Sequence, residues 1–334
     1  MLEIRDESSA NILSEVYRTN NKDNEKEGGK GVGLITNLQD FAVHDGPGLR
    51  VVVFFKGCPI RCKWCQNPIN LAPFAEIEHQ AALCLDCLRC LEICRTPGAI
   101  TNDKQHRIDR KKCIRCMECI SVCPVKALSI VGESTSVEKL TERIARYKPF
   151  FDASDHGGVT LSGGEPTFQP EFAFALLQSC KQLGIHTAIE TCGYADYNTL
   201  KRMAEISNLI LFDIKHMNEI SHISGTGVSN GLILDNLTRL CKEVDVEIAV
   251  RIPLICGFND DNKNITETMQ FVSSLKKIKR VDLLPFNELP SEKYKALGLK
   301  WEYQELKRQP PERLAELEAI VRLYGLEGTI GGSW

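Results

Sequence analysis

Nowhere in the 334 residues is there a run of 18 apolar residues, so no segment is long enough to cross a bilayer as an apolar helix. The first residues, MLEIRDESSANILSEVY, are charged and polar rather than a secretory leader, which makes a cytoplasmic location the expectation. There is no basic excess: the net charge of -3 offers no electrostatic footprint for nucleic acid. Disulfide-like spacing is also missing. Eleven of the fifteen cysteines crowd into three tight runs between Cys58 and Cys123, and only Cys180, Cys192, Cys241 and Cys256 stand alone. A chain this long needs no covalent staples, and clustered C-x-x-C spacing reads as metal ligation. One further absence concerns the first run, GCPIRCKWCQNP (57–68). It spaces Cys58, Cys62 and Cys65 as C-x-x-x-C-x-x-C and has no fourth cysteine. Three thiolates hold three irons of a 4Fe-4S cluster and leave the fourth open to an outside ligand. A closed cluster only passes electrons, whereas an open iron can do chemistry.

The remaining runs form an internal repeat. Cys84, Cys87, Cys90 and Cys94 are followed at an offset of 29 residues by Cys113, Cys116, Cys119 and Cys123, with similar tails at 98–100 and 126–128. Both halves read C-x-x-C-x-x-C-x-x-x-C, the two-cluster ferredoxin pattern, in which the fourth cysteine of each half ligates the other half's cluster. This pairs Cys84, Cys87 and Cys90 with Cys123, and Cys113, Cys116 and Cys119 with Cys94. Zinc is the competing reading, disfavoured by eight thiolates in one repeat. Pro124 follows Cys123 directly, but Pro97 comes three residues after Cys94.

Residues 1–30 carry a polar, charged stretch ending in glycines and read as a peripheral, flexible extension. After the turn HDGPG, the run Val51–Phe55 reads as a buried parallel strand that delivers the chain to Cys58. Beyond residue 135, strands at 158–164, 186–191, 209–215, 246–255 and 280–286 alternate with amphipathic helices. One helix opens at Pro170, with Phe172, Leu176, Leu177, Cys180 and Leu183 on one side, and another starts near Pro311 and ends at Gly325. Six strands with helical crossovers predict an α/β fold with a parallel sheet, too short to close an eight-stranded barrel. The expected architecture is a partial, TIM-like (β/α)6 barrel over 31–75 and 135–334, with an α+β ferredoxin-like insert at 76–134.

Polar residues gather at the carboxyl ends of these strands, the face on which α/β folds build sites. Gly163 and Gly164 allow backbone to approach a ligand. Glu165 can tie neighbouring strands or meet an ammonium, Lys215 can neutralise a carboxylate, and Asp213 can accept from a ribose hydroxyl or a cation. Trp64 either stacks on a nucleobase or packs in the core. The four solitary cysteines read as small core hydrophobes, with Cys192 and Cys256 near the expected site.

The C-x-x-x-C-x-x-C run with an aromatic before its third cysteine, together with GGEP (163–166), resembles the radical S-adenosylmethionine superfamily. HDGPGLR, FFKGCPIRCKWCQNP, the repeat inserted after it, LFDIKHMN and RIPLICGFND resemble one branch, the glycyl-radical enzyme activating enzymes with two accessory clusters. The resemblance covers residues 31–332. It implies that S-adenosylmethionine chelates the open iron and is cleaved by one electron to a 5′-deoxyadenosyl radical. That radical then removes hydrogen from a glycine of a large partner enzyme. By position, Trp64, Cys65, Gln66, Gly163, Gly164, Glu165, Asp213, Ile214, Lys215, Arg251 and Asn287 line the S-adenosylmethionine site. Asp45, with Gly46 and Gly48, faces the partner's glycine loop, and Glu190 and Thr191 support S-adenosylmethionine or a monovalent cation. Asn287 stands where relatives commonly have histidine, Ile69 where a glutamate is frequent, and Glu190 where some have aspartate.

The expected complement is three 4Fe-4S clusters, reduced flavodoxin or ferredoxin as donor, and a monomeric chain. Two alternatives remain from the sequence: a radical S-adenosylmethionine enzyme acting on a small molecule or another side chain, and a pure electron carrier. The second conflicts with the missing fourth cysteine.

Overall fold

The computed structural model describes residues 31–334; the expected extension at 1–30 lies outside the described residues. Its main sheet is built on strands β1 (Val32–Ala42), β2 (Arg50–Phe55), β5 (Glu133–Ser136), β6 (Gly158–Gly163), β7 (His186–Thr191), β8 (Leu209–Asp213), β9 (Glu247–Pro253), β10 (Arg280–Leu284) and β11 (Glu327–Ile330). They lie in the order β11-β10-β9-β8-β7-β6-β2-β1-β5. The seven from β2 and β6 to β11 are parallel, and β1 and β5 add an antiparallel margin. Four crossover helices fall where periodicity places them: α5 (Pro170–Gln182), α6 (Tyr197–Ala204), α8 (Gly231–Glu243) and α9 (Asn262–Ser274). The last helix, α11 (Pro311–Leu323), ends before Gly325 at φ +72°.

Three expectations need correction. There are seven parallel strands rather than six, because EGTI after the last helix pairs in parallel with β10. The stretch before HDGPG is itself a long strand, β1, whose apolar alternation is interrupted by Thr36-Asn37 and Gln39-Asp40. Leu183 caps α5 from its exposed side instead of joining Phe172, Leu176, Leu177 and Cys180 in the core.

Period-two alternation divides the sheet into two faces. Val51, Val53, Phe55, Val159, Leu161, Ile189, Ile210, Phe212, Val250 and Ile252 point to the helices and form the principal core. The opposite face holds Phe54, Ser162, Glu190, Asp213 and Arg251, which line one cavity, above a small apolar layer of Ala188, Leu209, Leu211 and Ala249. That face is concave. Arg251 on β9 donates to the carbonyl of His44, beyond β1, at 3.1 Å, although five sheet positions separate the two strands. A Cβ added at Gly332 would meet the same carbonyl at 3.0 Å.

Between β2 and β5 the chain leaves the sheet. It makes an antiparallel pair, β3 (Glu76–His79) with β4 (Leu128–Val131), and two short helices, α1 (Arg89–Ile93) and α2 (Glu118–Ser121). The cysteine repeat is visible in the backbone. Asp86 and Leu88 are left-handed (φ +57° and +58°), and so are Arg115 and Met117 (+59° and +64°), 29 residues later. Non-glycine residues occupy this region at a cost, so a matched pair in both halves marks an imposed loop shape. The segment is tied to the sheet by the buried ion pair Lys56–Glu76, 2.9 Å.

Candidate active site

The loop from Gly57 to Asn70 is fixed on all sides by backbone bonds. Gly57 N donates to Asn70 O (2.7 Å), Glu165 N to Gly57 O (2.9 Å) and Gly164 N to Phe55 O (2.8 Å). On the far side, helix α7 (Glu219–Thr226), which the sequence reading missed, supplies the carbonyls of Gly225 and Thr226 to Lys63 N and Arg61 N. Tyr294 Oη donates to Cys65 O at 3.0 Å. Held this way, Cys58, Cys62 and Cys65 all line one cavity of about 640 Å³.

The same cavity is lined by Asp45, Trp64, Gln66, Gly163, Gly164, Glu190, Thr191, Asp213, Lys215, Arg251 and Asn287. Most residues singled out from the sequence are therefore brought together. Ile214, Gly46 and Gly48 do not line it; Ile214 is buried in the core, and the two glycines shape the HDGPG turn at φ +120° and +66°. Glu165 is also set back. Its Oε1 accepts from Thr167 N (3.1 Å), Thr167 Oγ1 (2.9 Å) and Thr191 Oγ1 (2.9 Å), and its Oε2 from Cys192 N (2.8 Å). These four contacts make the strand tie, one of the two uses foreseen for this carboxylate.

The glycines of GGEP are explained by protein contacts. A Cβ on Gly163 would lie 2.2 Å from Phe55 N, and one on Gly164 2.2 Å from Gly57 O. Both let β6 press against the loop that carries Cys58. Trp64 packs on Phe258, with ring centroids 4.6 Å apart, in a cluster with Ile255, Phe286, Tyr294 and Trp301. Core packing thus accounts for most of its surface, although it also meets the cavity. Cys192 packs with Cys58, whereas Cys256 does not line the cavity and donates to Lys307 O.

Two charged groupings stand over the thiols. Lys215 Nζ bonds Asp213 Oδ2 at 2.8 Å. Burial opposes the Lys215 ammonium, but Asp213 and the nearby Cys62 and Cys192 outweigh it and hold its pKa above the ordinary lysine value. Arg251 Nη1 bonds Glu190 Oε1 at 2.7 Å and lies 3.7 Å from Asp45 Oδ1. Burial pushes the Glu190 carboxyl up; Arg251 opposes this, while Asp213 and Asp45 add to it. Three carboxylates thus surround two cations, and Asp213 Oδ1 and Arg251 Nε are buried without a protein partner. A cavity lined by these three carboxylate and two cationic residues suits a zwitterionic ligand.

Residues 52–271 match the family model of the radical SAM superfamily, and the chain is a member of that superfamily. It is 41% identical over 302 residues to the choline trimethylamine-lyase activating enzyme of Oleidesulfovibrio alaskensis, covering 87% of this chain and 95% of the relative. It is 38% identical to the trans-4-hydroxy-L-proline dehydratase activating enzyme of Clostridioides difficile (90% and 99%) and 40% identical to the (2S)-3-sulfopropanediol dehydratase activating enzyme of Klebsiella oxytoca (89% and 95%). Within the superfamily, the chain belongs to the glycyl-radical enzyme activating enzymes.

Membership implies a 4Fe-4S cluster and S-adenosylmethionine. The donor set fits the cluster. Burial, reinforced by the neighbouring Cys62 charge, raises the Cys58 pKa, and burial lifts Cys62 to about 12. Thiols this dry ionise readily only when metal replaces their protons. Among the described residues, no three His, Cys, Asp or Glu side chains converge closely enough for a single ion. Three thiols lining one cavity are the donor type that an iron-sulfur cluster takes.

Proposed function

We propose that Cys58, Cys62 and Cys65 hold the cluster with one iron open, and that S-adenosylmethionine lies against Asp213, Lys215, Arg251 and Asn287. The single observation that carries this reading is the shared cavity, in which the three thiols face the Asp213–Lys215 and Arg251–Glu190–Asp45 groupings. When bound, the cluster supplies one electron to the sulfonium. Lys215 answers the ligand's carboxylate, Asp213 Oδ1 accepts from its hydroxyl or ammonium protons, and Gly164 fixes the distance between β6 and the cluster loop. Glu190 and Thr191 are the candidates for a monovalent cation. Asp45, held toward the cavity through Arg251, meets the glycine of the partner enzyme.

We read the segment at 76–134 as a two-cluster ferredoxin-like insert in a partial barrel formed by 31–75 and 135–334. Cys84, Cys87, Cys90 and Cys123 line one pocket, which supports the crossed pairing. Cys94, Cys113 and Cys119 share an apolar cluster around Ile77, Ile100 and Leu128 with Cys90 and Cys123, so the two ligand sets lie side by side. The paired left-handed residues beside each run support a backbone wrapped around an anionic cluster. Reduced ferredoxin or flavodoxin feeds this relay. Fifteen unpaired cysteines support a reducing, cytosolic setting, and we take the chain as a monomer.

Anaerobic reconstitution tests the reading. The chain should take up about twelve irons, four for each of three clusters, and with dithionite should convert S-adenosylmethionine to 5′-deoxyadenosine. Cys62→Ala should abolish that product. Cys87→Ala should lose about four irons yet retain cleavage under strong chemical reductant. Equal loss of cleavage in both variants would overturn the division into catalytic and relay clusters.

A further inference from the structure

The cavity that holds the thiols is longer than the thiols and their charged neighbours account for. It is also lined by Thr36, Asn37 and Gln39 of β1, by Asn70, and by Glu78, Ile130 and Val131 of the β3–β4 pair. The backbone explains the opening. β5 pairs with β1 only from Val32 to Ile35, although β1 runs on to Ala42. Just before β5 the chain turns sharply at Gly132, φ +115°, so β4 pairs with β3 instead of continuing along β1. The two strands diverge there and leave a cleft. On the β1 side, no strand among the described residues pairs with the outer edge of residues 36–42.

The walls of this cleft carry unmet hydrogen-bonding capacity. Asn37 and Gln39, two apart and opposite Phe54 and Val52, share the cavity face of β1 and are exposed. Asn70 is 1% exposed; its Oδ1 accepts from Thr36 Oγ1 at 2.5 Å, but its Nδ2 has no partner. A buried amide donor with nothing to donate to is costly, and a cavity beside it is where an acceptor belongs. A free strand edge, two exposed carboxamides and an orphaned amide donor together match the backbone of an extended peptide, whose N–H and C=O groups alternate along one edge.

We propose that this cleft receives the partner enzyme's peptide on one side of the reactive glycine, laid against the edge of β1 at residues 37–39, between the irregularity at Thr36 and the left-handed Phe41 (φ +56°). Asn70 Nδ2 donates to one peptide carbonyl, and the carboxamides of Asn37 and Gln39 bond neighbouring peptide groups. The occupant follows from continuity: the cleft opens into the cavity that holds Asp45 and the three thiols, so a chain lying in it leads to the reaction centre. The inference rests on the reading given under Proposed function.

The test uses the reconstituted full chain and, as probe, the purified glycyl-radical enzyme on which it installs a radical, scored by electron paramagnetic resonance. Asn37→Ala/Gln39→Ala should leave partner-free 5′-deoxyadenosine formation with dithionite unchanged; for Asn70→Asp, at the residue whose backbone closes the cluster loop, the partner KM is compared with that variant's own partner-free rate. Asn70→Asp keeps the acceptor that Thr36 needs but also brings a carboxyl group into a buried site, so Asn37→Ala/Gln39→Ala, which buries no charge, carries the comparison. Each bond lost should raise the KM for the partner roughly three- to ten-fold. Hydrogen exchange at residues 36–42 and 128–132 should slow when the partner is added. An unchanged partner KM in both variants, or protection there caused by the chain's own residues 1–30 and lost on their deletion, would overturn the proposal. Failure of the unmutated chain to form 5′-deoxyadenosine would instead overturn the underlying reading.

Discussion

Replacing Glu165 separates two uses of a carboxylate next to a cofactor cavity. In the structure all of its bonds go to the protein: two backbone N–H groups, of Thr167 and Cys192, and two threonine hydroxyls. Glu165→Ala would strand all four donors in a site where the glutamate itself is 1% exposed. The hydroxyls can rotate to other acceptors, but the two N–H groups cannot, and each buried orphan costs about 1–3 kcal/mol. The loss is then about 2–6 kcal/mol, a large part of the roughly 5–15 kcal/mol that stabilises a typical folded chain. Glu165→Gln keeps one oxygen for Thr167 and Thr191 and turns its amide toward Cys192 N, costing about 1–3 kcal/mol through the one orphan. At about 2 °C per kcal/mol for a chain of this size, alanine should lower the melting temperature of the metal-free protein by roughly 4–12 °C, and glutamine by about 2–6 °C. Differential scanning fluorimetry of the metal-free protein measures this directly. A melting temperature within a degree of wild type for Glu165→Ala, accompanied by a raised KM for S-adenosylmethionine, would refute the strand tie and favour an ammonium contact.

Arg107 is buried against the Cys84 thiol, with Nη2 3.9 Å from Sγ. With the repeat holding two clusters as proposed, Arg107→Met should keep the iron content and shift one of their midpoints to more negative potential, read by redox titration with electron paramagnetic resonance. His186 lies beside buried Arg50, and burial, Arg50 and His156 depress its pKa to about 4. The unfolded chain takes up that proton near pH 6.5 and the folded chain only near 4, so its contribution to stability is lost as pH falls through this window. His186→Gln should therefore lose less urea stability between pH 7 and pH 5 than wild type does.

Much of this was legible in the sequence because its signals were local. C-x-x-C spacing needs only neighbouring residues, and β-branched runs ending in glycine or an acid mark both a strand and its functional end. The sequence places Glu190, Asp213 and Arg251 on their strands, and the structure sets them with Ser162 on one cavity face. What stayed hidden depends on partners distant in the chain. β1 becomes a strand because β2 pairs with it, despite Thr36-Asn37 and Gln39-Asp40 interrupting its apolar pattern. EGTI is too short to be distinguished from a turn until β10 lies beside it. Gly163 and Gly164 read as room for a ligand, yet the nearest obstruction to a side chain is the backbone at Phe55 and Gly57. Nothing in the local sequence marks Asn70 Nδ2 as lacking an acceptor.

The pairing of β2 with β6 also sets an order of assembly. Phe55 meets Gly163, 108 residues later, and only then can Gly164 and Glu165 pin the backbone at Phe55 and Gly57. The entropy of closing so long a loop grows only with the logarithm of its length, about 0.6 kcal/mol per doubling, so the intervening segment costs little stability. Its cost falls on timing instead. At roughly 5–20 residues per second, synthesis of that stretch takes about 5–20 s. The β3–β4 pair and the eight cysteines it encloses are complete before Gly163 emerges. On a growing chain, the eight thiols of the repeat gather while Cys58, Cys62 and Cys65 still await their final position.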